Sequence, residues 1–404
     1  MDAYVIFGAV AGIIIIGFAG EFLFKKTGVP IFIFLILTGV ILGPILNLFP
    51  RESLISVLAP FAELTLLMVL FYGGLGLKST VVLLNGGRAL IQAVICVGLS
   101  SALIGAIGIF IMNWGTLPSF IFASMIGGET TAALLVPLSR WMKISEEASS
   151  FMTIEASINS IFLIVLFFAF VGVYESPGIN MGAALSSIAS QFSVGIVMGA
   201  ILGLAWIYIL YRFQKQKFTY VLTLGLILIT YSLTTQLGGN GILAVLVFGI
   251  VFGNYYFLNR LFKRQINLDS LQNQLATFQE EISFLLTTLL FVSLGLIFVV
   301  SPSHIATNLS IAIVILLLLL LVRFVATRAS TFQSPLSSEK RTILLMCAQG
   351  LTPATLAILA VNLQLPHADT FVNIVTYVII LTNVVTTAGE IINVRVKKEN
   401  RQLL

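Results

Sequence analysis

The sequence predicts an all-α integral membrane protein of about thirteen transmembrane helices, built from inverted repeats with two discontinuous crossing helices. Three observations lead to this fold class. The 404 residues are 58% hydrophobic and 9% charged, with a mean hydropathy of +1.08, values far outside the range of water-soluble domains. The apolar runs reach the roughly 20 residues that a helix needs to cross a bilayer, and they lack the alternation of β-barrel strands. Two of these runs are interrupted by glycine, proline and polar residues.

The apolar runs divide into thirteen spans, numbered here from the N-terminus. The first run counts as a span because no basic residue precedes it and no clear small-residue cleavage site is present. Residues 1–393 are expected to form a single transmembrane domain, and residues 394–404 a short basic tail. The predicted spans are 2–23, 29–48, 54–76, 88–113, 117–138, 147–173, 182–212, 219–236, 240–258, 279–300, 304–328, 340–361 and 367–393.

The basic residues fall almost entirely on one side of the predicted membrane. Only Arg51 lies on the opposite side, and Arg323 lies inside span 11. Short cytoplasmic loops retain positive charge. The protein is therefore expected in the cell membrane, with its N-terminus outside the cell and its C-terminus in the cytoplasm. The net charge of +5 then faces anionic lipid headgroups, so no nucleic-acid partner is expected.

One long polar stretch, 259–282, separates spans 9 and 10. Its apolar residues recur at roughly helical spacing between charged and amide residues. This pattern predicts an interfacial helix on the cytoplasmic side, or a tether that joins two halves of the bundle. Any regulation is expected to act through the membrane part or through a separate subunit.

Span 5 carries polar groups at its centre. Gly127 and Gly128 each lower helix stability by about 1 kcal/mol relative to alanine, and Thr130 and Thr131 can divert backbone hydrogen bonds to their side chains. The helix is therefore expected to break at this point. Glu129, which stands in the break, could bind a proton or a cation, or could be a protonated acid hydrogen-bonded within the core.

Span 12 repeats the pattern of span 5. Gly350 and Pro353 interrupt the apolar run, and Gln349 and Thr352 supply polar groups. Two interrupted spans seven spans apart are typical of transporters built from inverted repeats, in which half-helix ends and freed carbonyls bind ions near the bilayer midplane.

Span 6 contains Glu155 and Asn159, which are four residues apart and so share one face of an otherwise apolar helix. A charge at membrane depth costs about 2.5–3.5 kcal/mol on insertion scales, so this face is a candidate ion site. Arg323 in span 11 can approach Glu155, and we favour a structural ion pair between them. The alternative is that Arg323 reaches to the cytoplasmic surface and leaves Glu155 free.

Five segments spread over nearly the whole chain resemble one family, and their order and spacing carry the resemblance. They are 20-GEFLFKKTGVPIFIFLILTGVILGP-44, 66-LLMVLFYGGLGLK-78, 240-NGILAVLVFGIVFGN-254, 283-SFLLTTLLFVSLGLIF-298 and 349-QGLTPATLAIL-359. The family is that of the monovalent cation/proton antiporters of the sodium/proton exchanger type. The resemblance implies secondary transport of Na⁺ or K⁺ against protons, with no cofactor besides the transported ions.

The sequence departs from the family at its ion-binding motif. In the most similar branch, span 6 carries Glu-x-x-x-Asn-Asp, and the final aspartate binds the transported ion or proton. The matching positions here are Glu155, Asn159 and Ser160, so a serine replaces the aspartate. By the resemblance, Asn159 would support the helix crossing and Glu155 would pair with Arg323.

The family's Thr-Asp-Pro motif in span 5 corresponds here to Glu129, Thr130 and Thr131. A serine hydroxyl cannot ionise in the membrane, so the carboxylate role must move or be lost. Our hypothesis is that Glu129 has taken the role. The ion and proton site is then expected to contain Glu129, Thr130, Glu155, Ser157, Asn159 and Ser160, with Glu129, Thr130 and Ser160 as direct ligands of Na⁺ or K⁺.

The resemblance also implies an architecture. Scaffold helices at about 1–76 and 219–300 would pair two protomers into a homodimer, and core helices at about 88–173 and 304–393 would move against them like an elevator. Residues 182–212 would form the linker helix. These expectations rest on analogy with the family.

Three other functions stay open at this point. Loss of the aspartate could leave a cation uniporter or channel, or a non-transporting sensor or assembly subunit. A symporter for an organic anion and sodium is disfavoured, because Glu129 and Glu155 would repel an anion. An enzyme is not expected, since no segment combines a nucleophile, a base and an orienting acid.

Overall fold

A computed structural model describes residues 3–27, 30–49, 51–77, 79–131, 144–175, 181–213, 219–256, 269–300 and 302–402. The regular structure of these residues is entirely helical, without a β-strand in the described ranges. A π-helical turn, Ile41–Ile45, continues the second helix, and a 3-10 turn, Pro335–Glu339, precedes the twelfth. The α-helices are α1 (Ala3–Thr27), α2 (Ile31–Val40), α3 (Arg51–Gly76), α4 (Ser79–Phe110), α5 (Thr116–Ile126), α6 (Glu146–Glu175), α7 (Met181–Phe213), α8 (Thr219–Gln236), α9 (Gly241–Gly253), α10 (Asp269–Leu296), α11 (Pro302–Ser330), α12 (Lys340–Leu345), α13 (Leu351–Asn362) and α14 (Ala368–Gln402).

Each of the thirteen predicted spans overlaps a described helix. Five helical stretches are long and apolar enough to cross a membrane by length and composition alone, and eight further apolar stretches are shorter. The five long stretches are Gly86–Phe110, Glu146–Glu175, Ala189–Leu210, Pro302–Ser330 and Ala368–Gly389.

Two helices extend further than the sequence pattern predicts. The described part of the predicted interfacial helix and span 10 form one continuous helix, α10; residues 257–268 lie outside the described residues. Helix α14 continues into the predicted basic tail as far as Gln402. In both places the chain holds good helix formers and lacks proline, so the helix has no local reason to end where the apolar run does.

The chain divides into two compact units. The first comprises Met1–Glu63, Asn85–Val171 and Leu285–Leu404, and it holds both interrupted spans. Helices α2 and α10 make close contact within it, because a Cβ atom added at Gly39 would lie 2.1 Å from the Val292 carbonyl oxygen. Small residues permit such backbone contact between membrane helices.

The second unit comprises Leu64–Leu84 and Gly172–Phe284. Aromatic rings fill part of its core, where the Phe71 ring lies 5.9 Å from Phe248 and 6.5 Å from Phe252, measured between ring centroids. The predicted division into scaffold, core and linker helices stays a prediction.

Candidate functional site

The first break lies directly after α5. Gly127 follows the last helical residue with a ψ of 84°, and Gly128 has a φ of +78°. A glycine in the left-handed region is the common way to end a helix, because it carries no Cβ penalty. Residues 129–131 then run without helical structure. The two glycines therefore turn the chain and leave Glu129, Thr130 and Thr131 in irregular backbone within the first unit.

The second break separates α12 from α13. Residues 346–350 are not helical, and α13 begins at Leu351. Pro353, predicted to interrupt the span, instead lies in the first turn of α13 next to the buried Thr352. A proline is tolerated there because backbone N–H groups in the first turn have no helical partner. The break itself is made by Gly350 and the four residues before it.

The two breaks contact each other directly. The Thr131 backbone N–H donates to the Ala348 carbonyl oxygen at 2.9 Å. The Gln349 side-chain amide donates to the Ile126 carbonyl at 2.6 Å. These bonds give partners to backbone groups that the interrupted helices leave open, which is required for irregular backbone at membrane depth.

Helix α14 supports the second break from another side. The Thr382 hydroxyl accepts from the Gln349 backbone N–H at 3.2 Å, and the Asn383 amide donates to the Gln349 carbonyl at 2.7 Å. The Thr386 hydroxyl accepts from the Cys347 N–H at 3.2 Å. These residues are absent from the site predicted above, although their spacing of three and four positions in an apolar run is a visible signal.

Glu155 on α6 and Arg323 on α11 form a buried ion pair. Arg323 Nη1 donates to Glu155 Oε1 at 3.0 Å, and Nη2 donates to Oε2 at 3.2 Å. Arg323 Nε also donates to the Ile343 carbonyl at 3.0 Å. The Glu155 side chain is 0% exposed and the Arg323 side chain 4%. This two-pronged geometry is the strongest form of carboxylate pairing, and it cancels both charges inside the unit.

Asn159 connects the ion pair to the first break. Its side-chain amide donates to Glu155 Oε1 at 2.7 Å and to the Gly128 carbonyl at 3.1 Å. The Thr130 hydroxyl lies 3.4 Å from the same amide nitrogen and 3.4 Å from Glu155 Oε1. The structure thus brings Thr130, Glu155 and Asn159 together in one polar cluster with Arg323.

Glu129 is the second buried acid of the described residues, with 3% of its surface exposed. Its Oε2 accepts a hydrogen bond from the Gly350 backbone N–H at 3.0 Å. No basic side chain forms an ion pair with it within the described part of the chain. The two buried carboxylates therefore differ, because Glu155 has a cationic partner and Glu129 has a backbone donor.

Two of the predicted site residues, Ser157 and Ser160, make no hydrogen bond to this cluster in the described structure. The Ser157 hydroxyl donates to the Thr153 carbonyl one turn earlier at 3.0 Å, and Ser157 is half-buried. Ser160 is also half-buried. Neither serine lines either of the two small cavities that lie beside the two breaks.

Two small cavities lie where the two breaks contact each other. We name them the Glu155 cavity and the Glu129 cavity after the acid that lines each one. The Glu155 cavity is lined by Thr130, Thr131, Met152, Glu155, Arg323, Met346 and Ala348. The Glu129 cavity is lined by Cys96, Ser100, Gly128, Glu129, Thr130, Leu319, Arg323, Cys347 and Gln349.

We expect Gly128→Ala to destabilise the protein. A Cβ atom at Gly128 would lie 2.7 Å from the Cys96 carbonyl group, and the left-handed conformation alone costs other residues about 1–2 kcal/mol. Gly98→Ala on the nearby helix α4 is the matched control, because a Cβ there meets nothing within 4 Å. Thermal unfolding in detergent should show a clearly lower Tm for Gly128→Ala only. Equal melting of the two variants would contradict the tight turn.

Comparison with known proteins gives one family match over nearly the whole chain. Residues 10–391 match the family model described as "Sodium/hydrogen exchanger, transmembrane". The K⁺/H⁺ antiporter NhaP2 of Shewanella oneidensis is 24% identical over 238 residues, covering 57% of this chain and 40% of that protein. The Na⁺/H⁺ antiporter ApNhaP of Aphanothece halophytica is 24% identical over 208 residues, covering 50% and 39%. This chain thus spans less than half the length of these two relatives.

A solved structure has a similar fold. The sodium proton antiporter MjNhaP1 from Methanocaldococcus jannaschii superposes with a TM-score of 0.81 at 19% sequence identity, covering 96% of this chain and 97% of that one. The predicted fold class, an all-α multi-pass membrane protein with two discontinuous helices, is confirmed by this similarity and by the helices described above.

Proposed function

We propose that this chain, which belongs to the sodium/hydrogen exchanger family, is a secondary transporter that exchanges a monovalent cation for protons. Relatives named K⁺/H⁺ and Na⁺/H⁺ antiporters support both K⁺ and Na⁺ as candidate cations. Two broken helices that meet within one unit supply the irregular backbone that such transporters use for ion binding.

Glu129 is the proposed exchanging carboxylate, and one observation carries this assignment. Of the two buried acids in the described residues, Glu155 is neutralised by Arg323, whereas Glu129 accepts only from the Gly350 N–H in the contacts described. A buried carboxylate without a counter-charge is unfavourable, so it must take up a proton or a cation. Proton and cation then exclude each other at one group, and this exclusion couples their movements.

The serine at the family's aspartate position makes a shift of the carboxylate necessary in this proposal. Ser160 is half-buried on α6, and its hydroxyl cannot carry a charge at ordinary pH. Asn159 still links α6 to the first break through the Gly128 carbonyl. In this proposal α6 still positions the first break, while the ionisable carboxylate is that of Glu129 in the break.

Transport requires that the site open to each side in turn. By the family resemblance, the segments 88–173 and 304–393 would move together like an elevator against a scaffold that forms the homodimer. The membrane orientation, with an external N-terminus and a cytoplasmic C-terminus, belongs to the same proposal. Both breaks and the Glu155–Arg323 pair fall inside the segments assigned to the moving core.

A cation channel or uniporter is the second candidate, and the replacement of the family's aspartate by Ser160 favours it. If Glu129 served only to attract cations, flow would not depend on protons. Currents across planar bilayers without a proton gradient distinguish this function from exchange.

Purified protein in liposomes with a trapped pH dye tests the proposal. Gradients of Na⁺, K⁺ and Li⁺ should each be compared, and at least one should drive proton movement. Because proton and cation compete for one carboxylate, the apparent KM for the cation should rise as pH falls, by up to about tenfold per pH unit. Cation flux without proton movement would support the channel. Folded protein that moves no cation would contradict both functions.

A further inference from the structure

Besides Glu129, the wall of the Glu129 cavity has two residues with a side-chain oxygen atom that lacks a hydrogen-bond partner in the described structure. These atoms are Ser100 Oγ on α4 and Gln349 Oε1 in the second break. The residues are 1% and 0% exposed. Buried polar atoms are nearly always paired, so two unpaired oxygens on the wall of one cavity are positioned to contact a ligand or a water molecule.

The amide of Gln349 is held in a fixed orientation. Its nitrogen donates to the Ile126 carbonyl at 2.6 Å, so the amide carbonyl oxygen must face another way. The Gln349 backbone is itself bonded to Thr382 and Asn383 on α14. This arrangement leaves Oε1 as a positioned acceptor rather than a rotating one.

Ser100 lacks the bond that a serine inside a helix usually makes; its neighbour Ser101 lacks it too, but only Ser100 lines the Glu129 cavity. A serine inside a helix commonly donates to the carbonyl four residues earlier, as Ser157 and Ser293 do here at 3.0 Å and 2.6 Å. The Ser100 hydroxyl makes no such bond within the described structure. Its oxygen is therefore available to a ligand in the cavity.

We propose that Ser100 Oγ and Gln349 Oε1 are ligands of the transported cation, which they hold beside the Glu129 carboxylate. This inference rests on the function proposed above and adds two ligands from outside the family's motif positions. Carboxylate, amide and hydroxyl oxygens are hard ligands, which suit a dehydrated alkali cation. The proton that Glu129 releases leaves the same position that the cation then occupies.

The charges of the cavity favour a monovalent cation. Arg323 also lines this wall, but its guanidinium is paired with both oxygens of Glu155. Glu129 then contributes one negative charge, which a single positive charge cancels. A divalent cation would leave an uncompensated charge in a low-dielectric site, so we assign the site to ions such as Na⁺ or K⁺.

Ser100→Ala tests the proposal, with Ser101→Ala as the matched control. Both hydroxyl groups are buried and lack a partner in the described structure, but only Ser100 lines the Glu129 cavity. Ser100→Ala should raise the apparent KM for the driving cation about tenfold, which corresponds to about 1.4 kcal/mol. Ser101→Ala should leave the KM unchanged.

Cation-dependent thermal stabilisation in detergent gives a readout that does not need transport. A cation that binds only folded protein raises Tm with its concentration. Ser100→Ala should need about ten times more Na⁺ or K⁺ for the same shift, and Glu129→Gln should lose the shift. If Ser100→Ala keeps the wild-type KM and the wild-type Tm shift while Glu129→Gln loses exchange and the Tm shift, the two oxygens do not bind the cation, and the inference is wrong. Wild-type protein without exchange or shift would instead refute the proposed function.

Gln349→Glu is a second variant, which keeps the size of the side chain and adds a carboxylate. If Gln349 Oε1 faces the cation, the added charge should make the site attract a divalent cation. Inhibition of exchange by Ca²⁺ should then strengthen about tenfold relative to wild type. Unchanged inhibition by Ca²⁺ would contradict the assignment of Gln349.

Discussion

Glu129→Gln is expected to reduce cation-driven proton movement to the background of protein-free liposomes. The amide has nearly the same shape, and its oxygen can still accept from the Gly350 N–H, which Glu129 Oε2 does at 3.0 Å. The variant should therefore fold, since the change removes a charge from a buried position. What it loses is the one group in the proposed site that can hold either a proton or a cation.

Glu147→Gln is the matched control for this variant. Glu147 is exposed in the first turn of α6, on the helix that carries Glu155. The same chemical change there should leave the exchange rate and the cation KM at wild-type values. Glu129→Asp should keep partial exchange, because the carboxylate remains but lies one methylene further from the cavity. Full cation-driven proton movement in Glu129→Gln would show that Glu129 is not the exchanging group.

The positions of both breaks could be predicted because low helix propensity is a local property. Gly127 and Gly128 signal the first break directly. Pro353 was misleading, because a proline that interrupts a helix and a proline in the first turn of one have the same sequence signature. Only the three-dimensional structure distinguishes these two cases.

The contacts across the crossing could not be predicted from sequence. Glu129 and Gly350 are 221 residues apart, and Gln349 and Ile126 are 223 apart. No local pattern specifies which backbone group of one break faces the other. Ser100 carried no signal either, because small residues are common in membrane helices for packing reasons.

Ser157 stays a predicted site residue, but helix geometry places it on a different face of α6 from Glu155. It is two positions from Glu155, which is a rotation of about 200° around the helix. Its hydroxyl accordingly bonds to the Thr153 carbonyl on its own helix. Asn159 is four residues from Glu155, and the two side chains are in contact at 2.7 Å. Applying the helical period to the whole motif would have separated these two cases.

Removing one partner of the Glu155–Arg323 pair should have the largest effect on stability. Arg323→Gln would leave Glu155, which is 0% exposed, without its counter-charge. Breaking a buried pair in this way typically costs about 3–5 kcal/mol. The Ile343 carbonyl would also lose the bond from Arg323 Nε. We expect a large drop in Tm in detergent, or failure to accumulate in the membrane.

Arg328→Gln is the control, because Arg328 lies on the same helix but is exposed. It should melt close to wild type. Arg323→Lys keeps the charge but loses the two-pronged geometry, so its Tm should fall between those of wild type and Arg323→Gln. Adding Glu155→Gln to Arg323→Gln removes the unpaired charge, and should restore part of the lost stability. Arg323→Gln and Arg328→Gln variants with the same Tm would mean that the pair contributes nothing.

The double variant also separates stability from exchange. If Glu155 only holds the fold through Arg323, a double variant that folds should still carry out exchange through Glu129. The Glu129 carboxylate and its bond from Gly350 involve neither member of the pair. Loss of exchange in a double variant with near-normal Tm would instead assign a part in exchange to the Glu155–Arg323 pair, because Arg323 also lines the Glu129 cavity. The same liposome assay therefore decides whether exchange needs this pair or only Glu129.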